Sequence, residues 1–82
     1  MYAVQLTDTA KKQLGKLERS VQERIIKTLE RVRIRPEAYV TKLVGDPAYK
    51  LRVGDYRILM DIEHERLLIL VIKIGHRKNV YQ

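Results

Sequence analysis

Tyr49-Lys50-Leu51-Arg52-Val53-Gly54-Asp55-Tyr56-Arg57-Ile58-Leu59-Met60 is the stretch that decides how this chain folds. Gly54-Asp55 is a two-residue hairpin signal, since Gly reaches the positive φ that a tight turn between strands requires. With that turn fixed, Val53 faces Tyr56, Arg52 faces Arg57, Leu51 faces Ile58 and Lys50 faces Leu59. Successive side chains of a strand point to opposite faces. Tyr49, Leu51, Val53, Tyr56, Ile58 and Met60 therefore share one face, which must be the core, and Lys50, Arg52 and Arg57 share the other. Two arginines directly opposite one another, with a lysine diagonal to them, repel at a cost of tenths of a kcal/mol up to roughly 1. A bound anion relieves that repulsion, and phosphate matches the planar fork of guanidinium.

The rest of the chain arranges itself around this hairpin. Upstream, Tyr2 to Leu6 reads as a first strand, followed by a helix that Thr7 or Asp8 can cap. Ala10, Leu14 and Leu17 lie at i, i+4 and i+7, while Lys11, Lys12 and Lys16 lie off that stripe. Ser20-Val21-Gln22-Glu23 reads as a capping box opening a second helix, with Val21, Ile25, Leu29 and Val32 buried and Arg24, Lys27 and Arg31 outside. Pro36 disfavours helix at Arg35 and ends the element nearby. Thr41 to Val44 is a short strand candidate before a Gly45-Asp46-Pro47 turn. Downstream, Tyr56 to Ile62 returns, Glu63 to Arg66 is a polar turn, and Leu67 to Ile74 is a near-continuous apolar run. Such a run suits a central strand covered on both faces, and Gly75 is expected to break it. The predicted fold is α+β: one small, mostly antiparallel sheet with an N-terminal helical hairpin packed on one face.

Composition narrows the function. Eighty-two residues suffice for one domain and one core, and leave no room for a separate cofactor domain. No Gly-rich phosphate loop is present, so dinucleotide-dependent and Walker-type enzymes are excluded. With no Cys there is no thiolate metal site and no thiol nucleophile. The polar residues that follow Met1 argue against a signal peptide, and the apolar run at Leu67–Ile72 is too short to span a bilayer. A cytoplasmic location is expected. The net charge is +7 and the pI about 9.9, which points to an anionic partner. After Glu65 no acidic residue occurs, while Arg66, Lys73, Arg77 and Lys78 do. His64, between Glu63 and Glu65, lacks metal-ligand spacing and reads as a solvated turn. Asp61, Glu63 and Glu65 read as surface charge. No metal or cofactor is expected.

At Tyr49 to Arg57, and again at Lys73-Ile74-Gly75-His76-Arg77-Lys78-Asn79-Val80-Tyr81, the chain resembles the RelE toxins of the RelE/ParE toxin–antitoxin superfamily. The likeness covers essentially the whole chain and implies a RelE-like microbial RNase fold. It implies a type II toxin: a ribosome-dependent endoribonuclease that cuts messenger RNA through attack by a ribose 2′-OH. It also implies an acidic RelB-like antitoxin as partner, and promoter DNA bound through that antitoxin. Carried over by position, Lys50 and Arg52 match two basic residues of the family's catalytic strand. Arg57 matches the phosphate-stabilising Arg, Arg77 the Arg near the leaving group, and Tyr81 the Tyr that stacks on the RNA. Lys42 and Lys78 are expected to add RNA or ribosome contacts.

Two departures stand out. Well-known members have Lys where this chain has Arg52, and Arg does not give up a proton. The general base is then Lys50 or His76, an imidazole being the side chain that exchanges protons nearest neutral pH. The sequence also stops at Gln82, so a further C-terminal helix present in some relatives is not expected. The competing expectations are a ParE-like gyrase poison and a non-catalytic RNA- or protein-binding module of the same fold.

Overall fold

The computed structural model describes residues 1–78. Its elements are β1 (Ala3–Leu6), α1 (Asp8–Gly15), α2 (Arg19–Val32), a 3-10 turn (Pro36–Ala38), β2 (Thr41–Lys42), β3 (Tyr49–Val53), β4 (Tyr56–Glu63) and β5 (Leu68–His76). The strands form one sheet in the order β1-β5-β4-β3-β2. The pairs β2–β3, β3–β4 and β4–β5 are antiparallel, whereas β1 pairs with β5 in parallel. The expected α+β architecture is therefore present, with one parallel pair at the β1 edge.

Local chemistry explains the helices. Thr7 is the N-cap of α1, its hydroxyl accepting from the Ala10 N–H at 3.1 Å. The second helix starts two residues earlier than its sequence suggests. Glu18 is its N-cap and makes no side-chain cap bond, so Ser20 lies inside the first turn and the expected capping box is not formed. Gln22 instead reaches back across the connection, its amide donating to the Leu17 carbonyl at 2.8 Å. That bond satisfies a backbone acceptor left open where the first helix ends. At the far end of α2, Arg33 ties the helix to the start of β1. Its Nε donates to the Tyr2 carbonyl at 3.0 Å, and its own carbonyl accepts from Tyr2 N–H at 2.8 Å.

The core lies between the helices and one sheet face. Ala10, Ile25, Leu29 and Val32 from the helices meet Leu51, Val53, Ile58, Met60, Ile69, Val71 and Ile74 from the strands in one buried cluster. Every core residue read from the β3–β4 pattern is on this side, with Tyr49 and Tyr56 half-buried at its margin.

Strand β5 departs from expectation twice. It runs through Gly75 to His76 rather than breaking at the glycine, because both residues keep partners on β4. It is also central only in pairing: Leu68, Leu70 and Ile72 are half-buried, and the described helices cover the other face. Between Met60↔Val71 and Leu59↔Lys73 the register slips by one residue, leaving Ile72 as the extra residue of a β-bulge. Past Leu6 the strand has no β1 neighbour, and α1 supplies the missing partners. Thr7 Oγ1 donates to the Ile72 carbonyl at 2.9 Å, and Gln13 Oε1 accepts from Ile74 N–H at 2.7 Å. One helix thus both covers the strand edge and fixes the bulge.

The β4–β5 turn departs both from ordinary geometry and from expectation. Leu67, at the β4–β5 turn, has φ 51°, the left-handed region where a branched side chain is strained. His64, expected to be merely solvated, is exposed yet bonded, with its Nδ1 2.8 Å from the Tyr2 hydroxyl and the two rings edge to face.

Candidate functional site

The β3–β4 hairpin pairs as its sequence requires, with Arg52 opposite Arg57, Leu51 opposite Ile58 and Lys50 opposite Leu59. Gly54 turns the chain at φ 59°. Lys50, Arg52 and Arg57 consequently share the sheet face away from the helices. The bulge in β5 brings in a fourth cation that the sequence pattern did not reveal: Lys73 pairs with Leu59 and so stands on the Lys50 face. Had the strand kept regular register through Ile72, alternation from Ile69 and Val71 would have put Lys73 on the core side.

Arg57 is the centre of this arrangement. Its neighbour on one side is Arg52 and on the other Gly75, which has no side chain. The Arg57 Nη1 is buried with no hydrogen-bond partner among the described residues. Buried donors are almost always satisfied, so a charged one left open is a specific defect in the fold unless a ligand completes it. A phosphate oxygen is the acceptor that a guanidinium fork fits best. Asp55 sits exposed in the turn itself, but along this face of β4 the first carboxylate is distant. Asp61 pairs with Leu70, four residues along β4 from Arg57, which is about 13 Å of extended strand. The face is therefore graded, cationic at the hairpin end and acidic at the other.

The tail residues divide. Arg77 is exposed and stands two residues beyond Gly75, with its N–H donating to the Asp55 carbonyl at 2.8 Å. The ladder thus delivers it to the same end of the sheet as Arg52 and Arg57. His76 pairs instead with Tyr56, edge to face at 5.7 Å between ring centroids, on the core side of the strand. Its Nδ1 accepts from the Lys78 N–H at 3.3 Å. Lys78 is exposed next to it. Lys42 pairs with Tyr49, so it is not on the Lys50 face. Tyr81 lies outside the described residues. Among the described residues, no group of His, Cys, Asp or Glu is placed to hold a metal ion, and no helix is long and apolar enough to cross a membrane.

Comparison with known proteins identifies the class this geometry belongs to. Residues 4–81 match the model of the family described as ParE toxin of type II toxin-antitoxin system, parDE. The chain belongs to that toxin family, within the RelE/ParE superfamily. Among its members the chain is 31% identical over 80 residues to the mRNA interferase toxin RelE of Escherichia coli, covering 94% of this chain and 84% of that one. It superposes on the toxin of the intact E. coli RelBE toxin–antitoxin complex with a TM-score of 0.79 at 33% identity, covering 93% of this chain and 96% of that one. The toxin–antitoxin complex RelBE2 of Mycobacterium tuberculosis gives a TM-score of 0.86 at 24% identity, over 93% of this chain and 98% of that one, and shows the same fold.

Proposed function

We propose that the hairpin end of the open sheet face is the RNA-cleaving site of a type II toxin that acts on messenger RNA at the ribosome, with a cognate antitoxin as its partner. The observation that carries this reading is the buried, unpartnered Nη1 of Arg57 opposite Arg52 and beside Gly75. The names of the relatives, mRNA interferase toxins and RelBE complexes, point the same way. A ribosomal target places the activity in the cytoplasm, and the +7 net charge speeds encounter with an acidic antitoxin at low salt.

The chemistry is an intramolecular displacement. The ribose 2′ oxygen forms a bond to the adjacent phosphorus as the bond to the 5′ oxygen breaks, giving a cyclic phosphate and a 5′-hydroxyl. The 2′ proton must go to a base, and the departing 5′ oxygen must gain one. Arg57 binds the phosphate through its open Nη1 and stabilises the charge that grows on the phosphate oxygens in the transition state. Arg52 reinforces it from the next strand. Arg77, past the end of the ladder, supports the leaving oxygen, and Tyr81 stacks on a base to hold the splayed nucleotide in line. Lys50 is the base. It shares the face with Arg52 and Arg57, whereas His76 is on the core side against Tyr56.

The experiment is induction of the toxin followed by mapping of transcript 5′ ends. New ends within translated messages are expected. The matched family is named for ParE, the branch of the superfamily that poisons gyrase, so accumulation of DNA topoisomers with intact messages would replace this reading.

A further inference from the structure

The cationic surface does not stop at the sheet edge. Strand β2 pairs with β3 only at Tyr49 and Lys50, so Arg52 lies on an unpaired edge. Its Nε donates to the Gly54 carbonyl at 3.4 Å, and the residue borders a cleft of about 430 Å³ between the hairpin and α2. The opposite wall is one stripe of α2, with Arg24, Lys27 and Arg31 at i, i+3 and i+7. The hairpin turn closes on that wall: a methyl group on Gly54 would stand 3.1 Å from Arg24 Nη1.

Four cations line this cleft, and among the described residues none of them has an ion-pair partner. Glu23, its one carboxylate, is held by Arg19 at 3.6 Å. Like charges three and four residues apart destabilise a helix, and the stripe offers no internal compensation. Arg24 to Arg31 spans about 10 Å of helix axis, close to three nucleotide repeats of about 3.4 Å in a stacked strand. Because Arg52 belongs to both surfaces, a strand bound at Arg57 can pass the sheet edge into the cleft without leaving positive charge.

We propose that the cleft between α2 and the β3–β4 hairpin is a phosphate-backbone groove that holds the single-stranded message as it leaves the Arg52/Arg57 site, through Arg24, Lys27 and Arg31. The choice of occupant rests on the RNA-cleaving reading above; the test does not depend on cleavage.

The probe is a fluorescent, uncleavable 2′-O-methyl RNA dodecamer, with binding followed by anisotropy between 50 and 200 mM salt and no ribosome present. The triple substitution Arg24→Gln, Lys27→Gln, Arg31→Gln is expected to lower the slope of log affinity against log salt by about 2 and to weaken binding about tenfold or more at low salt. A trinucleotide, which reaches only Arg52 and Arg57, should be unaffected. Arg24→Lys with Arg31→Lys keeps the charge and should keep the slope, and the single Arg31→Gln should lower it by about 0.7. Unchanged dodecamer binding in the triple variant, or no wild-type binding at 50 mM salt, overturns the proposal. A loss seen only with duplex RNA places structured ribosomal RNA in the cleft and also overturns it. So does a loss of poly-glutamate binding with RNA binding intact, which assigns the cleft to an acidic protein segment. Failure of the nuclease reading would appear separately, as uncut messages under induction.

Discussion

Replacing Arg57 with Met should raise the stability of this protein while nearly abolishing its activity. The buried Nη1 has no partner among the described residues, and an unsatisfied buried donor costs about 1–3 kcal/mol. Arg52 stands directly across and Lys73 on the same face, and cross-strand repulsion adds tenths of a kcal/mol up to roughly 1. Met fills a similar length of apolar stem, so the net gain on substitution is about 1–2 kcal/mol after the loss of the guanidinium's packing. For a domain of this size, each kcal/mol raises the melting temperature by roughly 4–8 °C. Cleavage should fall by about 100- to 1,000-fold, the usual effect of removing one preorganised charge from a transition state. The paired assay is a thermal melt and single-turnover cleavage on programmed ribosomes, each run on wild type and Arg57→Met. A variant that melts lower and cuts at the wild-type rate refutes the reasoning. The guanidinium would then be a structural element with its own compensation, not an acceptor site awaiting a phosphate.

Arg77→Ala should relieve growth inhibition on expression with the melting temperature within about 2 °C of wild type, since the side chain is exposed and its backbone bond to Asp55 survives. Lys50→Met should lower the single-turnover cleavage rate by about 100-fold or more and His76→Gln by less than about tenfold; the reverse order would assign the proton transfer to the imidazole. Leu67→Gly, at φ 51° and on an exposed turn, should stabilise by about 0.5–1 kcal/mol in urea denaturation, and a loss of stability would mean that the side chain packs more than its exposure indicates.

The hairpin was legible in the sequence because everything that sets it is local. A glycine at the turn, strict alternation on both sides and a two-residue connection leave one register, and with it the Arg52–Arg57 pair. The apolar stripes of the helices were equally readable. The second helix's start was not, since Ser20 and Glu23 satisfy a pattern that Glu18 pre-empts by two residues. The fourth cation of the site was hidden for a different reason. From Leu67 to Ile72 every residue is apolar, so no alternation marks which side each takes. The slip at Ile72 depends on Thr7 and Gln13, more than fifty residues away. The charges of α2 looked like a solvated face, because nothing in the helix itself announces that a hairpin turn will close over them.

The bulge also changes how β5 should be compared between related chains. Odd-numbered positions face inward up to Val71, and even-numbered ones do so from Ile74 onward. One strand therefore follows two parities, and deleting Ile72 would restore simple alternation with Lys73 and Gly75 still on the open face and Ile74 still in the core. A relative aligned with a one-residue gap there would carry the same letters on the same sides of its sheet, whereas an ungapped relative with a regular strand would carry them on opposite sides. Grafting this segment intact onto another scaffold therefore requires its two clamps at Thr7 and Gln13 to travel with it, or the spare residue to be removed.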